Sequence, residues 1–372
     1  MKKKKILLLV QLPPPVHGVG VLNGIISRST WLREGYEACI VPIRVSRVNA
    51  EIGAMNAGKF FRTIGLFFHL KIRMIFFRPD MVYFTFSPVG LNLYRDCLLL
   101  LIVKCFMPKV VLHLHGVNIK DIAARSRILA SILRRLFFGV SVVCSSGRLV
   151  DDVVPVYADT PFIVPNTIEY DPHATGIIRA PAGTGRILFL SHLQNEKGVD
   201  TFLDALAILR QRGMVFEARL AGNPFKISLP EVHEEIFRRG LSGCVTVLGG
   251  LVDSDKYREC SVTDILVFPS RNEAFPLVLI EAAAWGIPVV SSGVGAIRDI
   301  VRDRVNGFVI DGNKPDEYAD KIGILLADTR LRAEMGRNAR KIFDDEYTLP
   351  QFERNISAVF SSVLSSVKQG LS

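Results

Sequence analysis

The string with the most chemistry in it runs from Phe268 to Val290 and reads FPSRNEAFPLVLIEAAAWGIPVV. Its apolar start is a buried strand, and its polar middle is a loop carrying Glu273. A helix starts near Pro276, where proline is tolerated because its missing N–H would be unpaired in a first turn anyway. Gly286 ends that helix, and a second strand follows Pro288. The free N–H groups of Leu277 and Val278, at the positive end of the helix dipole, suit a phosphate. Glu273, just ahead of the helix, can accept hydrogen bonds from sugar hydroxyls, and Glu281, deeper in it, from ribose hydroxyls. By spacing alone the two carboxylates are ordinary surface acids. The whole strand–loop–helix–Gly–Pro–strand string favours a site.

A second string, ILFLSHLQNEKG from Ile187 to Gly198, ends a strand at Ser191 and starts a helix after Gly198. Lys197 offers a fixed positive charge there; its bland alternative is a solvated lysine at a helix start. His192 offers one hydrogen bond when neutral but no fixed charge. Nearer the N-terminus, the strand Ile6–Val10 runs into QLPPPVHGVG. Gly18 and Gly20 let backbone approach an anion ahead of a helix beginning near Val21. As a dinucleotide fingerprint the loop is poor, since prolines interrupt it and no acidic residue ends a clear second strand. His17 is balanced between site and loop filler.

His113 and His115 share a strand face and end it before Gly116. They lack a third ligand nearby, so a metal pair is not expected, and His113 reads as a structural histidine. Asp253-Ser254-Asp255 reads as a loop with a helix N-cap rather than a metal motif. No metal and no cofactor is expected.

These loops need strands and helices to hold them. The chain has 372 residues, 49% hydrophobic and 22% charged, which suits two domains with their own cores. Strands are expected at 6–10, 37–41, 81–85, 110–115, 140–144 and 162–164, then at 186–191, 216–221, 245–248, 265–269, 288–291 and 307–310. Runs without polar alternation imply strands buried on both faces of a parallel sheet. Helices alternate with them; Val199, Phe202, Leu203, Leu206 and Leu209 make one apolar helix face. The fold class is therefore α/β, with two Rossmann-like doubly wound parallel-sheet domains facing a central cleft. The turn-rich stretch 165–184 carries the boundary: 1–168 forms the first domain, 169–348 the second, and 349–372 a helix that could cross back to the first.

The six cysteines are scattered and form no C-x-x-C pair, which argues against a disulfide framework or zinc site and fits a reducing cytoplasm. Lys2–Lys5 with Ile6–Val10 mimics a signal peptide, but the apolar run ends at Gln11 and no cleavage site follows. The run Cys97–Val103 is too short to span a bilayer. The net charge of +10 is concentrated in the first half and suggests an anionic partner. Between Lys59 and Arg78, Phe and Ile alternate with basic residues. This is either a membrane-surface helix or a core helix with a solvated basic face. No nucleic-acid-binding module surrounds it, so nucleic acid is not an expected partner.

The Glu273-x7-Glu281 pattern, with Phe275-Pro276 between and Gly286-x-Pro288-Val289-Val290 after, resembles glycosyltransferase family 4, retaining enzymes of the GT-B fold. The resemblance covers the C-terminal half well and the N-terminal half loosely. Val164-Pro165-Asn166-Thr167 and Ala221-Gly222-Asn223-Pro224 resemble the family's hinge and turn segments. The resemblance implies that Glu273 binds the transferred sugar, Glu281 the ribose, and the amides near Phe275, Pro276 and Leu277 the diphosphate. It implies Lys197 as a diphosphate clamp, with His192 standing where the family usually has Arg. It implies a nucleobase seat at Gly250 and Leu251, a cleft histidine at His115, and an acceptor-shaping loop at His17, Gly18 and Gly20. The implied donor is a nucleotide-diphosphate sugar, uracil on family frequency. The implied acceptor is a glycan or polyprenyl-diphosphate-linked glycan, in bacterial cell-surface polysaccharide synthesis. The expected place is the cytoplasm, or peripherally the inner face of the plasma membrane. Rival readings are a nucleotide-sugar epimerase, a nicotinamide-dependent dehydrogenase, or a non-catalytic glycan-assembly partner.

Overall fold

The structure is a computed structural model that describes residues 3–13, 18–43, 57–170, 185–251 and 253–366, except the side chains of Ala57, Lys59, Phe60 and Asp253. The chain divides into two compact units: residues 1–167 with 349–372, and residues 168–348.

Unit 1 begins with six parallel strands: β1 (Lys4–Val10), β2 (Tyr36–Pro42), β3 (Met81–Phe86), β4 (Lys109–Leu114), β5 (Ser141–Cys144) and β6 (Phe162–Ile163). The order is β2-β1-β3-β4-β5-β6. The chain steps outward from β1 to β2, then reverses to β3 on the other side of β1. Ile6 through Val10 are all fully buried, as a central strand covered on both faces requires. Helices α1 (Gly18–Arg28), α2 (Thr30–Gly35), α3 (Ala57–Phe77), α4 (Gly90–Cys105), α5 (Ile119–Arg125), α6 (Arg127–Phe137) and α7 (Val150–Val153) join the strands. One sheet face, through Leu7, Val82, Phe84 and Leu112, packs with Leu70 of α3, Leu99 of α4 and Leu133 of α6.

Unit 2 repeats the plan with β7 (Arg186–Leu190), β8 (Glu217–Ala221), β9 (Val245–Gly249), β10 (Ile265–Phe268), β11 (Val289–Ser292) and β12 (Gly307–Ile310). Its order is β12-β11-β10-β7-β8-β9, again all parallel. Its helices are α8 (Val199–Gln211), α9 (Leu229–Arg238), α10 (Asp253–Val262), α11 (Leu277–Ala284), α12 (Ile297–Ile300), α13 (Pro315–Ala327) and α14 (Thr329–Ile342). Phe189, Leu220 and Val267 face a core with Phe202 and Leu206 of α8 and Tyr318 of α13. Leu188, Leu266 and Phe268 face the other way, toward Leu279 and Ile280 of α11 and Ile297 of α12. Adjacent residues pointing to opposite faces, both apolar, are the period of a strand in a three-layer stack.

The last helix, α15 (Leu349–Ser365), packs on unit 1 against α2 and β4. Phe360 lies in edge contact with Trp31 at 5.3 Å and tilted on Tyr83 at 5.5 Å. Lys109 donates to the carbonyls of Val363 and Leu364, each at 2.8 Å, a cation at a helix C-terminus where the dipole favours it. The unit boundary falls between Thr167 and Ile168, one residue before the expected position.

Candidate active site

In unit 2, β7 and β10 are neighbours in the sheet although two strands separate them in the chain. At such a reversal the loops leaving the two strands diverge, and a ligand crevice opens beyond their carboxyl ends. Lys197 follows β7 and Glu273 follows β10. The structure brings them into contact, with Nζ 2.5 Å from Oε1 and side chains only 19% and 12% exposed. Ser270 Oγ donates to the same Oε1 at 2.9 Å. Glu273 is thus held by two partners from different loops.

Arg271 ties these loops together. Its backbone N–H donates to Glu196 O at 2.9 Å, and its guanidinium reaches Asp200 Oδ2 at 2.6 Å in the first turn of α8. Sequence reasoning missed both Ser270 and Arg271. Their signal was present: both lie in the polar loop beside Glu273.

Pro276 takes extended geometry as the N-cap of α11, and no side chain caps the helix. Leu277 and Val278 follow it half-buried. Phe275 directs its ring into the core, 6.1 Å from Tyr347, so this residue can offer a ligand only backbone. The loop after β11 braces the same segment, with the Ala296 N–H donating to Ala274 O at 3.0 Å.

Glu281 pairs with Lys256 of α10, Nζ to Oε1 2.6 Å. Burial disfavours the Lys256 charge, but the adjacent Glu281 outweighs it and raises the ammonium pKa. No spacing rule connects residues so far apart in the chain, so Lys256 was invisible to sequence reading.

The loops after β8 and β9 meet. The Gly222 N–H donates to Gly249 O at 2.7 Å. Gly250 is exposed and lies so near Asn223 that an added Cβ would fall 1.9 Å from the amide oxygen. Leu251, half-buried, packs with the apolar cluster behind α11. His192 lies exposed just past β7, its ring 6.2 Å from that of Phe225. Partial loss of hydration, then the Lys197 charge, lowers its pKa and disfavours the imidazolium.

The remaining candidates belong to unit 1. Gly18 opens α1 and Gly20 is buried in its first turn, while His17 lies outside the described residues. Asn23 of α1 donates to Gln11 O at 2.9 Å and to Thr85 Oγ1 at 3.3 Å. It thereby joins the loop after β1 to the end of β3 at that sheet's own reversal.

His115 is half-buried just past β4, its ring centroid 4.0 Å from that of His113. His113 is fully buried, with Nδ1 2.6 Å from the Tyr83 hydroxyl. Burial, then the neighbouring His115, holds the His113 pKa well below the usual value. Asp253-Ser254-Asp255 forms the first turn of α10 rather than a loop ahead of it. Asp255 pairs with Arg258 at 3.5 Å, and the Asp253 side chain and Val252 lie outside the described residues, so the expected N-cap role does too. Among the described residues no three His, Cys, Asp or Glu side chains converge.

Residues 176–342 match the family described as Glycosyl transferases group 1. The D-inositol 3-phosphate glycosyltransferase of Jonesia denitrificans is 30% identical over 193 residues, 50% of this chain and 45% of that protein. The alpha-D-kanosaminyltransferase of Streptomyces kanamyceticus is 27% identical over 178 residues, 48% of this chain and 45% of that protein. The chain spans about half the length of the curated relatives it matches.

Among solved structures, sucrose-phosphate synthase from Thermosynechococcus elongatus gives a TM-score of 0.78 at 15% identity, over 98% of this chain and 100% of that one. Anabaena HepE, solved in complex with UDP and glucose, gives 0.69 at 20% identity, over 96% and 100%. Likeness at such identities speaks for the fold: two doubly wound parallel sheets of the GT-B class.

Proposed function

We propose that the chain is a retaining glycosyltransferase using a nucleotide-diphosphate sugar, a reading supported by the match of residues 176–342 to the family described as Glycosyl transferases group 1. The observation that carries this reading is the Lys197–Glu273 pair, which joins the two loops of the β7/β10 reversal. One member supplies a cation for a diphosphate and the other an acceptor for sugar hydroxyls. The uncapped α11 N-terminus adds backbone donors and a favourable dipole. Glu281 would take the ribose hydroxyls, and the backbone at Gly250 and Leu251 the base. The UDP bound by Anabaena HepE favours uracil.

In the proposed step the sugar C1–O bond breaks toward the diphosphate, which leaves with the electron pair. The acceptor hydroxyl oxygen bonds C1 on the same face, and its proton passes to the departing phosphate oxygen. Charge grows on that phosphate, so preoriented donors act most strongly in the transition state. Lys197 and the helix end supply this charge complement, and no metal or cofactor is needed. The acceptor is a glycan or polyprenyl-diphosphate-linked glycan of a bacterial surface polysaccharide; Gly18 and Gly20 are assigned to its loop, and His115 to the transferred sugar.

Purified protein in EDTA tests this against UDP-, GDP- and ADP-sugars. A UDP-sugar at a hundredfold excess over its Kd should raise the melting temperature by about 5 °C or more. Slow donor hydrolysis should persist in the chelator. Absence of stabilisation by every donor would defeat the reading, and loss of activity in EDTA would defeat its metal-free part.

His192 makes a pH prediction. Its pKa is lowered in the free protein, and a bound diphosphate would raise it. Donor affinity should therefore increase as pH falls through the imidazole range and level off below the free-protein pKa. A charged hydrogen bond exceeds a neutral one by about 1 kcal/mol, so His192→Arg should tighten donor binding about fivefold at pH 8 and flatten the pH profile. Donor titrations at pH 5.5 and 8 check it.

A further inference from the structure

In unit 1, α4 lies between α3 and α6 and touches both. All three turn one face to the sheet: Leu66, Leu70 and Met74 of α3 are buried there. Their opposite faces should be polar if water covered them. On α3 the outward side instead shows Phe61, Phe68 and Phe76, which are 70%, 65% and 81% exposed, together with Ile72. On α4 the exposed positions Leu91, Tyr94, Leu98 and Leu101 advance by three and four residues, one continuous stripe. On α6 Ile128 and Ile132 repeat the pattern, and Phe138 follows the helix end. Three adjacent helices thus present outward apolar stripes in one layer. Soluble proteins leave an apolar area of this kind open chiefly where something binds.

The charge around these stripes identifies what binds. From residue 57 to 139 the chain has thirteen Lys and Arg but only three carboxylates, Asp80, Asp96 and Asp121. Asp80 is engaged by Lys4 at 3.0 Å, and Asp96 is fully buried against Arg95 at 2.7 Å. Lys71 and Arg73 are exposed along α3 and Arg78 just past its end, as are Arg127, Arg134 and Arg135 along α6. A second copy of this face would oppose cation to cation. A nucleic acid would leave the aliphatic side chains of Leu98, Leu101 and Ile72 uncovered. An anionic bilayer satisfies both features: acyl boundary for the apolar stripes, headgroup phosphate for the bases. Among the described residues no helix is long and apolar enough to cross a membrane.

We propose that the outer face of α3, α4 and α6 docks the protein on an anionic lipid surface. On this proposal the two readings of the 59–78 stretch both hold: the buried side of α3 is core and its open side is the lipid contact. The proposal stands on unit 1 alone and is independent of the donor reading.

The test is co-sedimentation of the full chain with vesicles of phosphatidylethanolamine and phosphatidylglycerol, and with phosphatidylcholine vesicles. Binding is expected to the anionic vesicles, weaker in 0.5 M salt, and at least tenfold weaker to phosphatidylcholine. The variant F68S/L98S/L101S should lose at least tenfold in binding while keeping its melting temperature and its donor response. The variant K71A/R73A, which keeps the apolar stripes, should lose about fivefold per residue and show a shallower salt dependence. Wild-type protein staying in the supernatant would overturn the proposal, and so would serine variants that sediment like wild type.

Discussion

Lys197→Ala is expected to lower kcat for sugar transfer by about a hundred- to a thousandfold, the usual cost of removing one preoriented donor from a developing oxyanion. Donor binding should weaken less, by about tenfold, because the ground-state diphosphate carries less charge on the leaving oxygen than the transition state does. Glu273→Gln preserves shape and Ser270 contact but removes the carboxylate that Lys197 touches at 2.5 Å. Its loss should also fall mainly on kcat. The two residues share one contact, so the double variant should lose much less than the product of the single losses. Initial-rate kinetics on the four proteins, with a donor identified in the thermal screen, give the cycle. A Lys197→Ala enzyme within threefold of wild type would mean that this ammonium never faces the reacting phosphate.

The candidate site's local framework is legible in the sequence because it follows from local physics. Ile6–Val10 and Ile265–Pro269 are uninterrupted apolar runs because a strand covered by helices on both faces has no solvent side. Pro276 and Gly286 bracket α11 because one fits a helix start and the other ends it with a positive φ of 62°. These are short-range rules, and they locate Glu273, Lys197 and Glu281 on the correct loops and helix. What they cannot give is the order of strands. The contact between Lys197 and Glu273 depends on β10 lying beside β7 rather than beside β9, and that is a long-range choice of the core. Lys256 was missed for the same reason. Its partner Glu281 lies on another helix, and only the folded unit makes them neighbours. Phe275 shows a subtler limit: its position beside the α11 start was correct, but which way its ring points depends on Tyr347 far along the chain. The α3 segment shows a third limit. Both of its faces are apolar, so periodicity alone could not tell the core side from the open side.

The close approach at the β7/β10 reversal makes the second large prediction. Gly198 has φ 76° and ψ 30°, and a Cβ placed there would fall 2.1 Å from the carbonyl oxygen of Pro269. That oxygen belongs to backbone just past the end of β10, so neither partner can swing aside. Gly198→Ala should therefore cost about 1 kcal/mol for the left-handed conformation and about 1–3 kcal/mol more for overpacking. For a unit of this size that is a melting-temperature drop of about 5–12 °C.

Gly213 separates the two causes. It has nearly the same φ, 74°, but nothing within 4 Å of the added carbon. Gly213→Ala should show only the conformational part, a drop of about 2–4 °C. The two variants should also differ in function. Displacing Gly198 moves its neighbour Lys197 away from Glu273, so the G198A protein should lose most of its donor-dependent stabilisation even well below its melting point. The G213A protein should keep it. Equal donor responses would mean that the Gly198–Pro269 approach maintains the sheet but not the position of Lys197. Scanning calorimetry with and without nucleotide sugar reads both quantities on the same samples.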